Sequence, residues 1–303
     1  MFLENVLNIK NEWWRYFIGC IVVFIATQLG SIPFIIAIFS KVGVEGASKI
    51  NETDMMTVLD NSNLTLFYFL LPFVLGFLGL CLVIKFMHNQ TFLSLITSRK
   101  KIDFSKIATS FTIACTIILI TTFFSYLISP QAYVYNFELK PFIILFLIVI
   151  LLIPFQTTWE ELMFRGYLMQ GIGGIVKNKW VPLLITSFSF GLLHYWNPEV
   201  IKIGPFLLVH YVFTGFFFGV ITLMDKGMEL SLGFHAGNNM LIALLVTADW
   251  TVLQTNSIFI SIGKPEIISI LIPVIIIYPL TLFYFSKKYG WNNWKDNLFG
   301  RIN

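Results

Sequence analysis

From Pro141 to Thr158 the chain carries no charged residue, and then Glu160, Glu161 and Arg165 arrive within six positions. The uncharged run is long enough for most of a membrane crossing, since a 30 Å hydrocarbon core asks for 17 to 25 helical residues. Ionisable side chains at the end of such a run are costly unless they are paired or have a task. On a helix, Glu161 and Arg165 stand four residues apart on one face. Glu160 is turned about 100° away from that face. The pattern predicts a Glu161–Arg165 pair and leaves Glu160 without a cation in its own helix.

Similar apolar stretches recur along the chain. They run at about Tyr16–Phe39, Leu64–Phe86, Ile107–Ile128, Pro141–Met169, Trp180–Tyr195, Pro205–Met224, Glu229–Ala248 and Pro265–Phe285. Gly30 and Pro33 interrupt the first, which predicts a kink there. Residues 1–15 end in Trp13-Trp14-Arg15, an interfacial lead-in with an aromatic anchor. Of the 303 residues, 57% are hydrophobic and 12% charged, against about 25% charged in soluble domains. The fold class expected is therefore all-α, a polytopic membrane protein of about eight transmembrane helices. Two N-x-T sequons begin at Asn51 and Asn63, and they matter only in a eukaryotic lumen. Cys20, Cys81 and Cys115 lie in apolar runs without a C-x-x-C spacing and read as small core hydrophobes.

Eight spans put both termini on one side. Sorted that way, fourteen Lys and Arg fall on the terminal side and five on the other, with Arg165 left in the membrane. The positive-inside rule then makes both termini cytoplasmic, in a plasma or inner membrane. The net charge of +4 is thus a topology signal and does not point to nucleic acid. Arg99-Lys100-Lys101 reads as a solvated topology determinant, and Tyr289, Trp291 and Trp294 as an interfacial belt.

Three of the four histidines, His194, His210 and His235, fall within apolar runs, all in the second half of the chain. His235 and Asn239 share a helical face, and Gly237 between them lets a neighbouring helix come close. Glu160, His194, His235 and Asn239 form a set drawn from three helices. One chemistry for it is metal-assisted hydrolysis, with Glu160, His194 and His235 holding Zn²⁺. The other is metal-free. Glu160 acts as general base on a water shared with His194, and His235 and Asn239 donate to the oxyanion. Asn is a poor zinc ligand and a good oxyanion donor, which favours the second. Each feature also has a plainer reading. Glu161–Arg165 can be a structural ion pair, His194 a satisfied core histidine, and His235 with Asn239 interhelical glue. His210 is read as packing or lining a cavity. His235 stands about 9 Å from the terminal end of its span at 1.5 Å per residue, which suggests a site in the terminal-side half of the bilayer.

The motifs Glu-Glu-x-x-x-Arg at 160–165, Phe-x-x-x-His at 190–194 and His-x-x-x-Asn at 235–239 resemble the three motifs of the CAAX prenyl-protease and bacteriocin-processing (CPBP, or Abi) family of intramembrane proteases. The resemblance covers roughly residues 105–250. It implies a CAAX-protease-like helical bundle whose core spans 105–250. A two-span N-terminal region (1–104) precedes it, and a last span with a basic tail (251–303) follows. It also implies Glu160 as the catalytic glutamate, His194 as its partner in activating water, and His235 and Asn239 at the oxyanion, with Glu161 and Arg165 in support. The substrate would be a membrane-associated, leader or lipidated peptide. The rival functions are a non-catalytic peptide-binding or immunity protein and a proton-coupled transporter.

Overall fold

The computed structural model describes residues 2–50, 55–263 and 267–302, with the side chains of 267–269 left out of the description. The sequon at Asn51, and Lys264 and Pro265 at the expected start of the eighth span, lie outside the described residues. All eight expected spans are helices. We number them α1 (Trp13–Ala47), α2 (Ser62–Met87), α3 (Phe104–Ile128), α4 (Leu139–Val176), α5 (Trp180–Leu192), α6 (Leu207–Asp225), α7 (Glu229–Leu245) and α8 (Ile270–Lys288). Six are long and apolar enough to cross a membrane, while α5 and α7 are shorter. The outward faces of α1, α3 and α4 carry exposed Ile, Leu and Phe side chains, as lipid contact requires and water would not allow.

The boundaries correct several expectations. The first helix is 35 residues long, and its backbone leaves helical angles at Gly43 (φ 69°), not at Gly30 or Pro33. Gly30 serves packing instead. A Cβ there would stand 2.6 Å from the Pro72 backbone of α2. The lead-in is not an interfacial strip. Leu3–Asn8 form a 3₁₀ turn, with Phe2, Leu3 and Val6 buried. This turn lies against Gly173 and Gly174 of α4. On the opposite side, where loops alone were expected, three short strands form a sheet in the order β1 (Tyr133–Tyr135), β3 (Phe259–Ser261), β2 (Val246–Thr247).

Both termini do lie on one side. Ile302 N donates to Lys177 O, Lys10 N to His88 O, and Asn178 bridges Arg301. Two polar assemblies close this face. In one, Asn5 Nδ2 donates to Ser94 O and Thr97 O, while Gln90 Nε2 donates to Gln170 Oε1. His88, fully buried, donates from Nδ1 to Lys10 O and faces Tyr167 Oη at 2.9 Å. Its burial holds the imidazole below the ordinary histidine range. In the other, Arg99 reaches Asp225 (2.7 Å) and Glu229 (2.9 Å), and Lys106 and Trp291 Nε1 also donate to Asp225. Arg99 is thus a clasp between the α2–α3 connection and the α6–α7 turn, and only partly the solvated determinant expected. Trp291 belongs to the clasp more than to an interfacial belt. The sequon at Asn63 begins on a buried residue whose Nδ2 donates to Pro141 O.

Small residues bring the functional helices together. On α7, Gly233 and Gly237 lie against the Ile107 and Phe111 carbonyls of α3, where a Cβ would come within 2.1 and 2.7 Å. His235 and Asn239 are each two residues on, about 200° around the helix, so they face away from α3. Gly215 of α6 lies equally close to Ser187 of α5.

Candidate active site

Helix α4 supplies the carboxylates. It runs as regular helix from Leu139 to Glu161, widens into a π-helical stretch over Leu162–Leu168, and resumes over Met169–Val176. Such wide turns are frequent at functional sites. Glu161 and Arg165 are fully buried and paired at 2.9 Å, as the four-residue spacing implies. Arg165 Nη2 also donates to Gly215 O (3.1 Å), and its guanidinium lies 4.4 Å from the Phe190 ring and 5.1 Å from that of Phe218. The guanidinium is therefore locked by three helices.

Glu160 and Glu161 diverge as expected, but both reach the same imidazole. His235 donates from Nδ1 to Glu161 Oε1 at 2.9 Å, and its Nε2 stands 3.6 Å from Glu160 Oε2. Phe218 stacks on the His235 ring at 4.9 Å. Among the described residues Glu160 pairs with no Lys or Arg. Its Oε1 accepts from Gln156 Nε2 at 2.5 Å, and Gln156 Oε1 accepts from Asn239 Nδ2 at 3.1 Å. Gln156 was not foreseen. It stands one helical turn before Glu160 in an otherwise apolar run, and that position on the carboxylate's own face was the signal available. Asn238 Nδ2 in turn donates to Asn239 Oδ1.

His194 is more distant. Helix α5 ends at Leu192, so His194 sits in the turn beyond it, not inside the span. Its Nδ1 donates to Phe190 O (2.8 Å), and the Phe190 ring contacts both the His194 ring (4.9 Å) and the His235 ring (6.2 Å). His210 stands apart and donates from Nδ1 to Ile270 O of α8. His235 stands six residues after Glu229 at the start of α7, the offset the sequence implied, and Asn239 stands one turn further along.

A zinc ion needs three protein donors converging on one point. Among the described residues no three His, Cys, Asp or Glu converge in that way. His235 Nδ1 is held by Glu161 and His194 Nδ1 by a carbonyl, which leaves Nε2 as the available donor of each ring. The donor set Glu160, His194 and His235 does not fit a metal in this arrangement. What the arrangement offers is a carboxylate oriented by a neutral amide, beside an imidazole oriented by a second carboxylate. It lies inside a helical membrane bundle.

Residues 139–241 match the family described as type II CAAX prenyl endopeptidase Rce1-like. The matched segment holds all seven residues from Glu160 to Asn239 named by the motifs. Over that segment the chain is similar to CAAX-type membrane proteases. It is also 29% identical over 251 residues to the uncharacterized protein YyaK of Bacillus subtilis (strain 168), covering 82% of this chain and 81% of that one. No solved structure matches it.

Proposed function

We propose that the chain is an intramembrane endopeptidase in which Glu160 activates the attacking water. The observation that carries this reading is the environment of Glu160. It is a nearly buried carboxylate with an amide on one oxygen and an imidazole near the other, and no permanent cation among the described residues. In the proposed reaction Glu160 takes a proton from water as the water oxygen bonds to the scissile carbonyl carbon. The C=O electron pair moves onto oxygen. Asn239 Nδ2, which carries a second hydrogen beyond the one given to Gln156, and His235 Nε2, in a ring that carries a hydrogen on both nitrogens, stabilise that oxyanion. The C–N bond then breaks as Glu160 returns the proton to the departing amine. His194 shares the water. Glu161 and Arg165 hold the His235 ring in place. The substrate is a peptide in or at the bilayer, such as a leader or lipidated segment.

The fourteen-to-five distribution of Lys and Arg supports cytoplasmic termini, and cysteine labelling of residues 100 and 202 from either side of sealed vesicles tests this. The reaction is tested by incubating purified protein with fluorogenic membrane peptides. Glu160→Gln and His194→Ala should lose cleavage while keeping the thermal transition of the parent. Equal turnover in both variants would return the chain to a peptide-binding or transport role. Zinc measured by mass spectrometry at one ion per chain, and lost in His194→Ala, would displace the metal-free mechanism.

A further inference from the structure

The His194 ring is held by Phe190 of its own motif and by residues outside the three motifs. Its Nδ1 donates to the Phe190 carbonyl at 2.8 Å. A carbonyl only accepts, so Nδ1 carries the hydrogen and Nε2 presents a lone pair in the neutral ring. That is the form needed to accept from a water. One face of the ring lies on Tyr211 of α6, with centroids 4.1 Å apart and planes 18° from parallel. The Tyr211 hydroxyl donates to Glu199 Oε1 at 2.8 Å.

Glu199 is 8% exposed, and among the described residues no Lys or Arg pairs with it. Its carboxylate is held by neutral donors: Tyr211 Oη, Asn197 Nδ2 at 3.4 Å and, on Oε2, Val252 N at 3.0 Å. Burying a carboxylate without a cation is costly, and the packing of a loop end alone does not require one. Each donor comes from a different part of the site. Asn197 lies in the turn after His194, and Tyr211 is the platform under its ring. Val252 is in the loop after α7, which is tied back to that helix by Thr255 Oγ1 donating to Ala243 O.

We propose that Tyr211 and Glu199 are positioning residues that fix the plane of His194 and direct its Nε2 to the water activated by Glu160. Tyr211 sets the ring plane by stacking. Glu199 stops Tyr211 from sliding and holds the α5 end at a fixed distance from the loop that follows His235 and Asn239. This rests on the reading of His194 as a partner in water activation.

The test is ¹⁵N NMR of the histidine-labelled full chain in detergent micelles, with His194 assigned by its loss in His194→Ala. The parent should show a single Nδ1-protonated tautomer. Tyr211→Leu and Glu199→Gln should give averaged tautomers, and Tyr211→Phe, which keeps the platform without its hydroxyl, an intermediate spectrum. In parallel, cleavage of a fluorogenic prenylated peptide should lose kcat by about tenfold or more in Tyr211→Leu, the scale of losing a group that orients a histidine. KM should stay within about twofold of the parent, as for a group that does not bind substrate. An unchanged His194 tautomer in Glu199→Gln and Tyr211→Phe overturns the positioning role, whatever happens to Tyr211→Leu. A shifted tautomer together with full cleavage by Glu160→Gln would instead remove the peptidase reading beneath it.

Discussion

The Arg99 clasp and the intramembrane set are built from the same materials and end differently. Each brings together two carboxylates from buried positions and two nitrogen bases. In the clasp every carboxylate has a permanent cation: Asp225 has Arg99 and Lys106, and Glu229 has Arg99. In the membrane, Arg165 is spent on Glu161, and Glu160 receives only an amide and the far side of an imidazole. A carboxylate saturated by cations is a poor base. One left short of a cation in a low-dielectric site keeps its affinity for a proton. The distribution of partners, more than the presence of charge, separates a fastener from a reactive group.

Exchanging carboxylate for amide in the two places should break the comparison most sharply. Glu160→Gln should lower turnover by about 10²- to 10⁴-fold, the range of general-base catalysis, with the melting temperature unchanged. Next in size is Arg165→Met. It leaves Glu161 buried without a cation, and uncompensated buried charge costs about 3–5 kcal/mol. A lower melting temperature together with less folded protein in the membrane fraction is expected, and a fully stable Arg165→Met protein would mean that Glu161 is neutral. Asn239→Ala should lower kcat by about 10²- to 10³-fold, as for removal of one oxyanion donor, with little change in stability. If KM alone rises, Asn239 binds substrate without stabilising the oxyanion. Asp225→Asn should do the reverse. It should cost about 1.5–3 kcal/mol, the scale of hydrogen bonds to charged groups, and leave kcat of the folded protein unaltered. The smallest effect belongs to Lys41, whose ion pair with Asp60 is exposed. Lys41→Ala should change stability by about 0–1 kcal/mol.

Much of this was legible in the sequence because the membrane simplifies the code. Hydrocarbon forces continuous apolar helices, so all eight were found, and it makes each embedded charge conspicuous, so Glu160, Glu161, Arg165 and His235 stood out. Neutral polar groups are less conspicuous. Gln156 and Tyr211 carry no charge and hide in apolar runs. Glu199 is charged but lies in a connection, where a carboxylate usually means solvent. The lysine and arginine census treated Arg99 as one count among fourteen, and a census cannot see that its partners are Asp225 and Glu229, more than a hundred residues on. The wide turn in α4 and the break at Gly43 depend on how neighbouring helices dock, which a local pattern does not encode. The small sheet joins residues 133–135 to 259–261, too far apart and too short for periodicity to reveal.

The π-helical stretch of α4 sets how the residues on either side of it are turned relative to one another. Before it stand Gln156, Glu160 and Glu161, while Tyr167 near its end and Gln170 beyond it dock His88 and the 94–95 carbonyls. A π-helical stretch is an α-helix that absorbs one extra residue in a wider turn, so removing one residue from 162–168 should restore ordinary pitch and leave the two groups nearly in register, whereas one residue added to the regular helix between Gln156 and Glu161 would turn one group by about 100° against the other. Related chains are therefore expected to vary freely in length between α1 and α2, and to absorb the loss of one residue within 162–168 as regular helix while excluding single-residue insertions between 156 and 161.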